Sequence, residues 1–233
     1  MKTVKIAAGL AHVNYARIAD VVKEASDAGA DYIHSDAADM HDLRNLQLMG
    51  GHQIIAGIRP FTDKPIECHA YFKDVDKLFI DKIAAAGCDM LILPAENFIG
   101  APLAYIMKYC MDHDMHFGLT IGCFTPLSFV EESVHYLNRL HIVTHGVGKN
   151  DDDWLYRKSA IDLIRRAREL VGDKNPSCEI AVDGGFRLDN LDEIAREDID
   201  VMVFSSAIFQ HPGGASAGIR ELRGRIAQAR GDC

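Results

Sequence analysis

Short apolar runs alternate with longer amphipathic stretches along the whole chain. The runs Val4–Ala8, Tyr32–Asp36, Pro65–Ala70, Met90–Leu93, His116–Ile121, His141–Thr144, Glu179–Asp183 and Val201–Phe204 are mostly short and rich in Ile, Leu, Val or Phe. They read as strands buried on both faces. Between them, apolar residues recur at helical spacing over Tyr15–Ala28, Leu46–Ile58, Val75–Ala86, Ala101–His113, Pro126–Tyr136, Asp153–Val171, Leu188–Arg196 and Ala217–Arg230. Gly29, Gly87 and Gly172 stand just past these helix ends, where a left-handed residue is wanted.

Eight strands in strict alternation with about eight helices, at roughly 29 residues per unit, is the arithmetic of an α/β chain folded as a (β/α)8 TIM barrel. A doubly wound open sheet would announce itself with a glycine-rich turn after the first strand, and AAGLAHVN holds one glycine. No Pro/Ser-rich linker or long charge block divides the chain, so residues 1–233 read as a single domain.

Composition narrows the partners. The chain is 48% apolar and 25% charged, as ordinary globular proteins are. A net charge of −9 with no long basic run argues against nucleic acid, whose binding rests on neutralising phosphates. A small anionic ligand held by a local site remains compatible with that charge. The six cysteines at 68, 88, 110, 123, 178 and 233 form no CxxC pair and fit reduced thiols. No run approaches ~18 apolar residues, and the N-terminal stretch lacks a leader's apolar core. A cytoplasmic protein with no membrane partner is expected.

In such a barrel, chemistry belongs at the C-terminal ends of the strands. The second run ends in His34-Ser35-Asp36, which puts His34 and Asp36 on one face. The third ends near His69 and the seventh at Asp183. Two histidines and two carboxylates then converge at the mouth. They form a ligand set for one divalent metal, such as Zn, Fe(II), Mn or Co. Gly184 and Gly185 after the seventh strand, and Ser205 and Ser206 after the eighth, suit a phosphate held on loop amides. Gly146 and Gly148, after the sixth, would add a third arm. An Asp-Gly-Gly after a strand also serves as a plain turn. Lys149 lies beside a run of aspartates and reads as a solvated lysine, not a Schiff-base former. Cys68 and Cys123 read as small apolar residues, and His41, His52, His113, His116, His135 and His141 have no evident partner.

At these residues the chain resembles the ribulose-phosphate 3-epimerase family over nearly its whole length. AGADYIHSDAADMHD is similar to the family's second-strand HxDxxD segment, and ECHAYF to its third-strand histidine segment. GCDMLIL, GLTIGCFTPLSFVEE, AVDGGFRLDNLDEIA and VFSSAIF resemble the later segments. The resemblance implies a barrel of the ribulose-phosphate-binding type that inverts C3 of a ketose phosphate with a divalent metal. It implies His34, Asp36, His69 and Asp183 as metal ligands and Asp36 and Asp183 as the acid/base pair. It places Gly146, Gly148, Gly184, Gly185 and Ser206 around the phosphate, and Asp39 becomes a candidate orienter of a ligating histidine. Two carboxylates serve the two faces of the inverted carbon, and the metal stabilises the enediolate between them. A homo-oligomer is expected, as such barrels commonly associate.

Departures from the family pattern concern the substrate. Gly9 and His12 stand where serines are usual, Ala70-Tyr71 where a Leu-Met pair is favoured, Leu93 where a histidine is frequent and Ser205 where a glycine is customary. The loop after the sixth strand is shortened and carries His145 and Asp151–Asp153. The sugar phosphate that the resemblance implies is therefore ribulose 5-phosphate or a relative of it. An aldose–ketose isomerase on the same scaffold and a non-catalytic sugar-phosphate-binding barrel are the alternatives.

Overall fold

The computed structural model describes residues 2–38, 51–144 and 154–231. Eight parallel strands close into a barrel in sequence order. They are β1 (Lys5–Gly9), β2 (Tyr32–Ala38), β3 (Ile66–Tyr71), β4 (Met90–Pro94), β5 (His116–Gly122), β6 (Arg139–Val143), β7 (Glu179–Asp183) and β8 (Val201–Phe204). The surrounding helices are α1 (Ile18–Asp27), α2 (His52–Ile58), α3 (Lys77–Ala85), α4 (Gly100–Asp112), α5 (Trp154–Lys174), α6 (Asp192–Ala195), α7 (Ser206–Phe209) and α8 (Gly214–Arg230).

Strand side chains alternate between two environments. Ile6, Ala8, Ile33, Ile66, Cys68, Leu91, Leu119, Ile142 and Val182 belong to the large core shared with the helices. Their neighbours Ala7, Ala181, Val201 and Val203 form a separate small cluster against Tyr32 inside the barrel. Those small inner residues leave volume for charged ones. Arg139 is fully buried on the inner face, and Gly118, its partner in the ladder, supplies part of the room. A Cβ at Gly118 would lie 3.0 Å from the Arg139 carbonyl oxygen and 3.3 Å from its Cβ.

At the floor, a polar residue just before each even strand clasps the strand before it. Asp31 Oδ2 accepts the Ile6 N–H at 2.8 Å and Asp89 Oδ2 the Ile66 N–H at 2.7 Å. Asn138 Oδ1 accepts from Phe117 at 2.9 Å and Asp200 Oδ2 from Ile180 at 2.9 Å. These bonds satisfy amides at the starts of β1, β3, β5 and β7. Arg223, Arg59 and Arg168 pair with the three carboxylates.

Four sequence expectations need correction. Pro126–Tyr136 is not an α-helix but contains two short 3-10 turns, Leu127–Phe129 and Val134–Tyr136. Leu127, Val130, Val134 and Leu137 fit a spacing of three as well as 3.6 over so short a stretch. Gly172 lies inside α5, which continues to Lys174, whereas Gly29 and Gly87 do take φ +88° after α1 and α3. The strand expected at His141–Thr144 begins two residues earlier, at Arg139. Leu188–Arg196 shrinks to the single turn of α6. Of Leu46–Ile58, His52–Ile58 is α2 and the earlier residues lie outside the described ones.

Candidate metal and active site

Registers bring the inner faces of β2, β3, β6 and β7 together at the C-terminal mouth. Asp36 is level with His69, and Asp183 with Val143, one inward position above His141. His34 Nε2 lies 3.4 Å from Asp36 Oδ1 and 3.7 Å from Asp183 Oδ2. His69 Nδ1 lies 3.6 Å and 3.8 Å from the same two atoms. The four residues that the sequence singled out thus converge on one point. His141, which it did not, joins them, with Nε2 3.3 Å from Asp183 Oδ2. Ligand atoms of His34, His69, His141 and Asp183 all lie within 4.8 Å of one another.

The ring of His34 is fixed from below. Its Nδ1 is 2.8 Å from Glu67 Oε1 on the adjacent strand. Burial opposes ionisation of Glu67, but the Arg139 guanidinium and then His34 outweigh it and hold its carboxyl at about 2. An ionised carboxylate only accepts, so Nδ1 donates the proton. A neutral His34 then aims the Nε2 lone pair at two carboxylate oxygens, an arrangement that requires a proton or a cation between them. Without a metal a proton serves: although burial disfavours the imidazolium, Asp36 and Glu67 raise the His34 pKa well above its ordinary value. Asp183 is likewise held far below the carboxylate range, as His141, His34 and His69 outweigh its burial.

A divalent cation fits this donor set. Ligands ~2.0–2.2 Å from one ion stand roughly 3.0–3.6 Å apart; the nitrogen–carboxylate spacings of 3.3–3.8 Å lie within a few tenths of that, and the donor set as a whole spans no more than 4.8 Å. Two carboxylates balance its charge. Glu67 orients His34 from behind, as carboxylates behind metal-bound histidines do. The sequence offered Asp39 for such a task; it lies outside the described residues, as do His41, Gly146, Gly148, Lys149 and Asp151–Asp153.

Below the mouth the charges continue in alternation. Arg139 bonds Glu67 through Nη1 and Glu179 Oε2 through Nη2 at 2.6 Å, and its guanidinium lies 4.4 Å from the Tyr32 ring centroid. Lys5 Nζ closes the column on Glu179 Oε1 at 2.5 Å. Beside the mouth, the Tyr71 ring packs 4.2 Å from that of His69. Burial, with Asp36 and Asp183 nearby, pushes its phenol pKa well up, so it remains a donor.

Gly184 and Gly185 follow β7 with φ of +122° and +69°, values side-chain-bearing residues rarely take. Thr144 Oγ1 lies 3.0 Å from the carbonyl oxygens of both Asp183 and Gly184 and ties this turn to β6. Ser205 and Ser206 lead into α7. Ser205 Oγ accepts the His12 N–H at 3.0 Å and stands 3.3 Å from His12 Nδ1, so two of the family departures meet at one place. Of the other histidines, His113 pairs with Asp81 and His135 bonds the Lys174 carbonyl, both away from the mouth. Cys68 and Cys123 are buried, and burial raises both thiol pKa values.

A closed parallel barrel with histidines and carboxylates crowded at the C-terminal mouth is an enzyme of the (β/α)8 class. The chain belongs to the ribulose-phosphate 3-epimerase family, whose profile matches residues 5–209, and is thus an isomerase of the sugar-phosphate epimerase kind. It is 27% identical to ribulose-phosphate 3-epimerase 2 of Cupriavidus necator over 98% of this chain and 93% of that one. With the Escherichia coli ribulose-phosphate 3-epimerase it shares 27% identity over 98% of each chain. In fold it is similar to 3-hexulose-6-phosphate synthase from Salmonella typhimurium, with a TM-score of 0.72 at 17% identity over 97% of this chain and 100% of that one. No helix of the described residues is long and apolar enough to cross a membrane.

Proposed function

We propose that this chain is a metal-dependent epimerase that inverts C3 of a ketose phosphate, ribulose 5-phosphate or a related sugar phosphate. The observation that carries the reading is the convergence of His34, Asp36, His69 and Asp183, from three strands, at spacings of 3.4–3.8 Å. These four residues would hold one divalent ion (Zn, Fe(II), Mn or Co). When bound, the ion supplies Lewis acidity that stabilises negative charge developing on the substrate oxygens.

The remaining work falls to side chains. Asp36 and Asp183 sit on different strands, β2 and β7, and serve as the acid/base pair, one removing the C3 proton and the other returning one to the opposite face. Which acts as base depends on the substrate's configuration and exchanges in the reverse direction. Tyr71, kept protonated beside His69, offers a hydrogen bond to a substrate oxygen. Gly184, Gly185, Ser205 and Ser206, with Gly146 and Gly148, receive the phosphate, whose binding positions the distant C3.

Proton NMR in D₂O, with metal-loaded protein and a panel of pentulose, hexulose and tetrulose phosphates, tests this. The expected result is loss of the C3 proton signal with appearance of the C3 epimer. Exchange at C1 with an aldose product would make the chain an aldose–ketose isomerase. No exchange with any of them, metal bound and fold intact, would leave a non-catalytic binder.

A further inference from the structure

We propose that His141 is an additional metal ligand, so that this chain presents three imidazoles to its ion: His34 Nε2, His69 Nδ1 and His141 Nε2. This deepens the proposed function and rests on the part of it that places a metal at the barrel mouth.

His141 is fully buried in the middle of β6, on the inward face shared with Arg139 and Val143. Its ladder partners are Thr120 and Ala181, small side chains that leave room for an imidazole. Its one hydrogen bond among the described residues is from Nε2, 3.3 Å from Asp183 Oδ2, the same carboxylate oxygen that His34 Nε2 and His69 Nδ1 approach. Nδ1 has no hydrogen-bond partner among the described residues and can carry the ring proton, which leaves Nε2 its lone pair. The rings are packed on one another as well. His141 stacks on His34 at 5.4 Å between centroids with 12° between planes, and lies 4.6 Å from His69. One carboxylate oxygen has lone pairs for about two donors, so hydrogen bonds cannot serve all three imidazoles turned toward it, and protonating all three would oppose like charges. A shared cation lets the three rings direct lone pairs at one point.

A third imidazole also changes what the site selects. Nitrogen donors suit zinc, iron(II) and cobalt, whereas manganese and magnesium favour carboxylate and water oxygens. The chain should therefore hold Zn(II) or Co(II) well ahead of Mn(II).

X-ray absorption at the zinc edge of the zinc-loaded chain, with metal content and dissociation constant measured alongside, tests the assignment. The expected pattern is three imidazoles per zinc, falling to two in His141→Gln with the fold unchanged by circular dichroism. Loss of an outer partner of a ligand already weakens metal binding about 10–100-fold, so the variant should lose at least tenfold in affinity. Two imidazoles in the unaltered chain overturn the assignment of His141 and leave the metal reading intact. An unaltered chain that binds no zinc overturns both. Because the first spectrum needs no substitution, the test stands even if His141→Gln fails to fold.

Discussion

Arg139 and His141 are two residues apart on one strand, face the same interior and are equally hidden from water. Around Arg139 each charge meets its opposite: Glu67 and Glu179 flank the guanidinium, and Lys5 closes on Glu179. Around His141 like meets like, imidazole against imidazole, with one carboxylate between them. Buried ionic groups that satisfy one another belong to the folding problem. Buried groups that crowd together with the same need belong to what the protein binds. The floor and the mouth of this barrel differ in that way, and the difference can be broken experimentally.

The largest expected effect is on turnover at the mouth. Asp183→Asn should lower kcat for epimerisation by about 10³-fold, within the range that acid/base groups supply, while leaving the fold intact. A variant running at the native rate would remove Asp183 from the chemistry. At the floor the effect should fall on stability. Arg139→Met leaves the buried Glu67 with only His34 beside it, while Glu179 keeps Lys5, and breaking a buried pair in this way costs roughly 3–5 kcal/mol by denaturant titration. Adding Glu67→Gln to it should recover part of that loss, since one uncompensated charge is removed. A single variant as stable as the parent would show that the column carries no net energy.

Metal should separate the two regions further. Zinc at about 100 times its dissociation constant should add about 2.7 kcal/mol of stability to the parent chain. Arg139→Met should retain most of that increment despite its lower starting point, and a chain lacking His69 should lose it. Equal increments in both variants would mean that the ion sits elsewhere.

Acid is a subtler probe of the floor. Glu67 at about 2, and Glu179, lowered because Arg139 and Lys5 outweigh its burial, have folded pKa values below their ordinary one. Groups depressed in this way contribute fully above the ordinary carboxylate value, and that contribution drains away as pH falls toward 2. Melting temperature should thus drop between about pH 4.5 and 2, and the drop should be shallower in Glu67→Gln/Arg139→Met. Parallel curves would assign the acid sensitivity to other carboxylates. The smallest effect should come from Tyr71→Phe. Losing one neutral hydrogen bond should change kcat/KM about three- to tenfold. The change should differ among ketose phosphates, whereas a uniform loss would make Tyr71 a packing residue only.

Much of this could be read from the chain. β7 and β8 fall where their apolar runs do, and His34, Asp36, His69 and Asp183 share one face because alternation in strands leaves no other arrangement. What the reading missed at the mouth has one origin. A charged residue opens β6, RLHIV, and an apolar-run criterion set that charge outside the strand. Strand six therefore seemed to start at His141, which hid both the buried column and the third histidine. The signal was present as period two: Arg139, His141 and Val143 alternate with Leu140 and Ile142. The partners that make a buried arginine tolerable, Glu67 and Glu179, lie 72 and 40 residues away, beyond what local pattern reports.

The four clasps at the floor divide the ring unevenly. Asp31, Asp89, Asn138 and Asp200 bind β1 to β2, β3 to β4, β5 to β6 and β7 to β8, but among the described residues no such side chain at the floor joins β2 to β3, β4 to β5 or β6 to β7. The natural module is thus a quarter of the barrel: two strands with the connection between them, stitched within a short span of chain. A circular permutant with new ends between β4 and β5 keeps every stitch local, whereas one opened between β3 and β4 must form the Asp89 stitch across the ring. Chain breaks and grafted segments should be borne best at the seams between quarters.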